Sequence, residues 1–173
     1  MGIEPDTKDW TWVLRKACPE CGFDASDYSP ASIGEEVRSA AAAWSSELTR
    51  PDATTRTRED RWSVLEYGCH VRDVYRIFDV RLGLMLDEVD PLFPNWDQDA
   101  TAASDRYDLQ DPTVVSVELV EAAAVLGGHF DGLTGDQWDR VGRRSDGSSF
   151  TVATLGTYMI HDPIHHLWDV SAR

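Results

Sequence analysis

The chain has 173 residues, enough for one domain with a substantial core, and its 16 Lys and Arg against 31 Asp and Glu leave a formal charge of −15. That acidity argues against a nucleic-acid interface, which needs a basic face, and against docking on an anionic membrane surface. No apolar run suggests a bilayer span of roughly 20 residues, and Met1 to Trp10 carry acids rather than a hydrophobic stretch, so the expectation is a cytoplasmic protein without a signal peptide.

Residues 1–28 read as an irregular arm rich in proline, glycine and acids, with Cys18-Pro-Glu-Cys21-Gly22 inside it; residues 29–173 read as the main domain. A first helix is predicted from Ser32, which has capping-box spacing to Glu35, through the alanine-rich run to Leu48. Thr49 to Asp60 reads as a loop. The clearest helix starts from the Ser63/Glu66 box and carries Val64, Val71, Val74, Tyr75, Phe78, Leu82 and Met85 at helical spacing to about Glu88. Residues 89–110 lack periodicity and form a long connection. A third helix starts at Asp111-Pro112 and continues through Val115, Leu119 and Leu126. A short turn near Trp138 and a glycine-rich basic loop over 142–149 precede a last helix from about Thr151, in which Pro163 predicts a kink. No segment has the period of a strand. The pattern is all-α, a four-helix bundle, an architecture that builds metal sites in its core from facing helices.

The last helix carries His161 and His165 four residues apart, which stacks both imidazoles on one face. Imidazole is the commonest protein ligand for a borderline cation. His70, on the edge of the second helix's apolar stripe, is the candidate third ligand, and three ligands leave positions open for chemistry. His166 points about 100° away from His165 and is expected at the surface or behind the ligands. His129, beside two glycines, is expected to be exposed. Asp169, four residues past His165, is the favoured acceptor for a ligating imidazole's second nitrogen, or a fourth ligand; Glu66 and Asp73 flank His70 and are further candidates for that role.

The Trp62-Ser63 helix start, the segment Tyr67-Gly68-Cys69-His70-Val71-Arg72-Asp73 and the His161-x-x-x-His165 pair resemble the DinB/YfiT-like superfamily over roughly residues 30–170. That group includes the N-terminal domains of mycothiol-dependent maleylpyruvate isomerases and thiol S-transferases. The resemblance implies an up-down-down-up four-helix bundle, often a homodimer, with a divalent metal on His70, His161 and His165. The arm looks like the embellishment of an actinobacterial-looking subgroup; 14 arginines against 2 lysines are compatible with such a source.

Three neutral ligands leave the charge of a zinc, nickel or ferrous ion uncompensated, which acidifies a bound water or thiol. The resemblance implies a low-molecular-weight thiol such as mycothiol as cosubstrate, with S-transfer to a small electrophile. Metal-dependent hydrolysis and a non-catalytic metal-binding stress protein are the alternatives. Tyr67, Arg72, Arg76, Trp96 and Tyr158 are the candidate substrate contacts, and Cys69 is expected to be a small core residue. Cys18 and Cys21 have the spacing of half a zinc knuckle. They read as a structural zinc site completed elsewhere, a redox pair, or a turn with free thiols.

Overall fold

A computed structural model describes residues 9–171; the first eight residues of the arm and the last two of the chain lie outside the described residues. Four long helices form the bundle: α1 (Ile33–Leu48), α2 (Val64–Asp87), α4 (Pro112–Asp131) and α5 (Val152–Ser171), with a short α3 (Gln98–Ser104) between the second and third of them. The all-α expectation holds for the body of the fold. α1 and α2 each pack against both α4 and α5.

α1 buries Ile33, Val37, Ala41, Trp44 and Leu48, a stripe at helical spacing that faces the core. Its crossing with α4 is close because both helices present glycine there. A Cβ at Gly34 would lie 2.7 Å from the Gly127 carbonyl oxygen, and one at Gly127 would lie 2.9 Å from that of Gly34. α4 is long and apolar enough to cross a membrane by length and composition, which its interrupted sequence pattern did not suggest. Here its Val115, Leu119, Ala123, Leu126 and Phe130 face is buried in the bundle core.

α2 starts where expected. Ser63 Oγ accepts from the Glu66 amide at 3.2 Å and the Glu66 carboxylate accepts from the Ser63 amide at 2.8 Å. The box predicted at Ser32 and Glu35 does not form. A 3-10 turn over Pro30–Ser32 precedes α1, and Ser32 Oγ donates back to the Ser29 carbonyl at 2.9 Å. Pro163 lies inside α5 without ending it, and its carbonyl accepts from Trp44 Nε1 at 3.0 Å, which fixes α5 against α1.

Two stretches carry structure that the sequence did not signal. Residues 89–110 hold β1 (Leu92–Phe93) and α3, capped by Asp97 through the Ala100 amide at 2.9 Å. The basic loop is a hairpin, β2 (Val141–Arg144) and β3 (Ser149–Thr151), and β1 joins it in parallel with Leu92 opposite Arg143. Strands of two to four residues are too short to show alternation, and β1 pairs with a segment about fifty residues away. The arm is built into the same core, since Val13, Cys18 and Phe23 are buried with the helical residues.

The start of α2 gives a pH-dependent test. Burial would raise the Glu66 carboxyl, but the hydrogen bonds from Arg56 and Ser63 outweigh it and set the group below its ordinary value of 4.5. A carboxyl held down in the folded state stabilises above that value and loses its contribution as the pH falls through the folded one. Glu66→Gln should lower stability at pH 7 by about 1–3 kcal/mol. The deficit, read from urea midpoints, should shrink steadily below pH 4.5.

Candidate metal centre

α5 interleaves two pairs of ligating side chains. Positions 161 and 165 share one face, and positions 162 and 166 share the next, about 100° around the helix. The structure sends these two faces to different partners. His161 and His165 meet Cys18 and Cys21 of the arm, whereas Asp162 and His166 meet His70 of α2. Within each group the ligand atoms all lie within 4.8 Å of one another. The trio expected from the sequence is therefore not gathered: His70 does not share a cluster with His161 and His165 among the described residues. The angular argument that set His166 apart from His165 is right, but α2 faces the 162/166 stripe.

In the first-named trio's place stands a two-histidine, one-carboxylate set. His70 Nε2 lies 3.3 Å from Asp162 Oδ1 and 3.4 Å from Oδ2, and His166 Nε2 lies 3.8 Å from Asp162 Oδ1. His70 is buried, and among the described residues its Nδ1 has no hydrogen-bond partner; neither does Asp162 Oδ1. Burial would raise the Asp162 carboxyl, but the facing His70 and His166 hold it below the usual carboxylate range. His166 Nδ1 is hydrogen-bonded to Asp169 at 2.9 Å, which turns Nε2 toward Asp162. Asp169 thus orients His166, lying 4.0 Å from His165 Nε2 and 3.7 Å from Arg61. An ionised carboxylate oxygen without a donor, between two imidazoles, is a donor set that fits a divalent cation.

Two other expected orienters are engaged elsewhere. Glu66 is taken by Arg56 and the Ser63 amide. Asp73 accepts from Arg72 at 2.9 Å and from Arg76 at 3.3 Å, and is also bonded to the Tyr107 hydroxyl. Cys69 is buried, and burial pushes its thiol up to about 12, in keeping with a core role. His129 is exposed and paired with Asp79 at 2.6 Å.

Asp162, His166 and Asp169 line a cavity of about 740 Å³. Of the candidate substrate contacts, Tyr67, Trp96 and Tyr158 line it; Arg72 and Arg76 do not. Arg72 is buried in bonds to Asp73, Gln110 and Glu118, and Arg76 reaches Asp73 and Glu118 on the outer side of α2. Trp96 stacks on His70 with ring centres 5.4 Å apart and planes 6° apart, and its Nε1 donates to Thr101 at 2.9 Å. It covers the buried imidazole.

The cavity's cations are Arg61, Arg81 and Arg144. The small sheet positions Arg144, which donates to the Tyr158 hydroxyl at 3.0 Å and pairs with Asp146. Arg81 is buried over the rings of Phe78 and Phe93 at 5.0 and 5.6 Å. Burial and then the charge of Arg144 push its pKa down to about 10, so it remains a cation at neutral pH. Sequence reading missed Arg81 because it lies on the α2 stripe like a core residue. It missed Asp162 because the histidines around it have the stronger signal.

Fold and site together define a four-helix bundle with a polar, cation-bearing cavity beside a two-histidine, one-carboxylate cluster. The chain belongs to the DinB superfamily, whose sequence pattern it matches over residues 33–170. Comparison with curated proteins finds no match. Among solved structures the bundle superposes with a TM-score of 0.72 on one described as "YfiT from Bacillus subtilis is a probable metal-dependent hydrolase with an unusual four-helix bundle topology", at 22% identity over 83% of this chain and 86% of that one. At that identity the likeness establishes the shared fold.

Arg81 is a buried cation without a carboxylate hydrogen bond among the described residues, so replacing it with an apolar side chain should relieve a folding cost. Arg81→Met should leave the Tm unchanged or higher, read by thermal unfolding. A large fall in Tm would contradict this reading.

Proposed function

We propose that the chain is a metal-dependent thiol S-transferase working at His70, Asp162 and His166. The observation that carries this reading is the position of those three side chains, facing one another, with Asp162 and His166 on the wall of a cavity of about 740 Å³ and His70 buried behind them. A divalent cation held there would supply Lewis acidity, lowering the pKa of a thiol or water in its open positions.

The chain's own residues supply the rest. Asp169 holds His166 in one orientation, and Trp96 shields His70 from water. Arg81 and Arg144 offer positive charge to a carboxylate on the electrophile. Burial raises the Tyr158 pKa, so its hydroxyl keeps a proton to donate to a substrate oxygen while accepting from Arg144. Asp60, Asn95, Asp97 and Gln98 on the wall suit the hydroxyls and amine of a sugar-linked thiol such as mycothiol. Hydrolysis at the same cluster is the second reading, favoured by the description of YfiT as a probable metal-dependent hydrolase.

Small unsaturated dicarboxylates should be consumed saturably in the presence of a sugar-linked thiol. His70→Ala, Asp162→Ala and His166→Ala should each lower kcat/KM by more than a hundredfold and remove one metal equivalent. Turnover that persists without thiol selects hydrolysis. Full metal binding in all three variants, or thiol-dependent turnover that they leave unchanged, contradicts the proposal.

A further inference from the structure

The second cluster differs from the first in composition, although its His161 and His165 border the same cavity. Cys18, Cys21, His161 and His165 bring two thiols and two imidazoles together, all four ligand atoms within 4.8 Å of one another. Three of the four residues are buried, Cys18 at 2%, His161 at 4% and His165 at 6% exposure. His161 Nε2 is a buried nitrogen with no hydrogen-bond partner among the described residues. Cys18 Sγ lies 3.7 Å from His165 Nδ1. A tetrahedral zinc with Zn–S of about 2.3 Å and Zn–N of about 2.0 Å separates a sulfur and a nitrogen by about 3.5 Å.

The surroundings are those of a ligand set. His165 Nε2, the nitrogen away from Cys18, faces Glu20 at 3.3 Å, a carboxylate that fixes the ring and its tautomer. The arm is shaped for the purpose: the Cys18 amide donates to the Phe23 carbonyl at 2.7 Å and the Gly22 amide donates to the Cys18 carbonyl at 3.0 Å. Gly22 closes that turn at φ +77°, a left-handed conformation that favours glycine. Phe23 and Trp10 pack on His161 with ring centres 5.2 and 5.3 Å away.

We propose that Cys18, Cys21, His161 and His165 form a closed structural zinc site, separate from the His70–Asp162–His166 cluster, that fastens the N-terminal arm to α5. Zinc binding releases one proton from each thiol, and two thiolates balance the dication in a buried setting. A four-ligand site has no open position, so it does no chemistry. Its effect on the neighbouring cluster is mechanical, because Asp162 and His166 alternate with His161 and His165 along the same turns of α5.

The test is metal analysis of the full chain. Wild type should hold one zinc equivalent that survives brief chelation, and Cys18→Ser/Cys21→Ser should lose that equivalent while His70→Ala retains it. The cobalt-substituted protein should show thiolate-to-cobalt charge-transfer bands in the near ultraviolet, and zinc should protect both Cys18 and Cys21 from alkylation. The wild-type spectrum and alkylation pattern decide the matter even where the double serine variant does not fold. A cobalt spectrum without thiolate bands, unchanged alkylation with and without zinc, or an intact mass showing a Cys18–Cys21 disulfide in freshly purified protein would overturn the proposal. The His70→Ala result also separates it from the functional reading: loss of activity with zinc retained leaves both standing, and a missing thiolate site leaves the catalytic cluster untouched.

Discussion

The angular offset between neighbouring residues of α5 organises this molecule. In the run His161-Asp162-Pro163-Ile164-His165-His166, two i, i+4 pairs are offset by about 100°. A helix cannot turn both pairs toward one partner. One pair faces the arm and its two thiols, the other faces α2 and His70. The rest of the structure keeps α5 in that rotation: Trp44 bonded to the Pro163 carbonyl from α1, the buried apolar stripes of α1 and α2, and the close glycine crossing that seats α4.

Such a division separates two kinds of ligand chemistry a single turn apart. The thiol-bearing set is buried among aromatic rings, where a closed coordination sphere is stable and inert. The carboxylate-bearing set has three donors rather than four, and its Asp162 and His166 line the polar cavity, which His161 and His165 also border, so an open position there would face an approaching molecule. Burial holds the His161 imidazole neutral, down to about 4, which suits a ligand, and pushes the Cys21 thiol up to about 11, which is costly for a thiolate unless a cation is near. Arg81 and Arg144 then mark the same cavity for an anionic molecule, and Tyr158 joins them to α5.

The helices were legible in the sequence because their signals are local. Ser63 and Glu66 lie three residues apart and Asp111 precedes Pro112, so capping chemistry can be read directly. The family resemblance and the presence of clustered histidines were legible for the same reason. Which histidines work together was not. Spacing says that His161 and His165 share a face, but not which face of α5 turns toward α2, and that rotation is set by packing over the whole bundle. Cys18 and Cys21 showed half of a site whose other half lies more than 130 residues away. The three short strands were invisible because two to four residues are too few to show alternation, and β1 pairs with a strand about fifty residues away. Glu66 and Asp73 were read as partners of His70 from proximity along the helix, yet each is taken by arginines that come closer in space.

The most direct measurement is anomalous diffraction from crystals of metal-loaded protein, with data collected on both sides of the zinc absorption edge. The account predicts two separate peaks, one enclosed by Cys18, Cys21, His161 and His165, the other at His70, Asp162 and His166. A single peak held by His70 together with His161 and His165, with the two cysteines turned away, would contradict it.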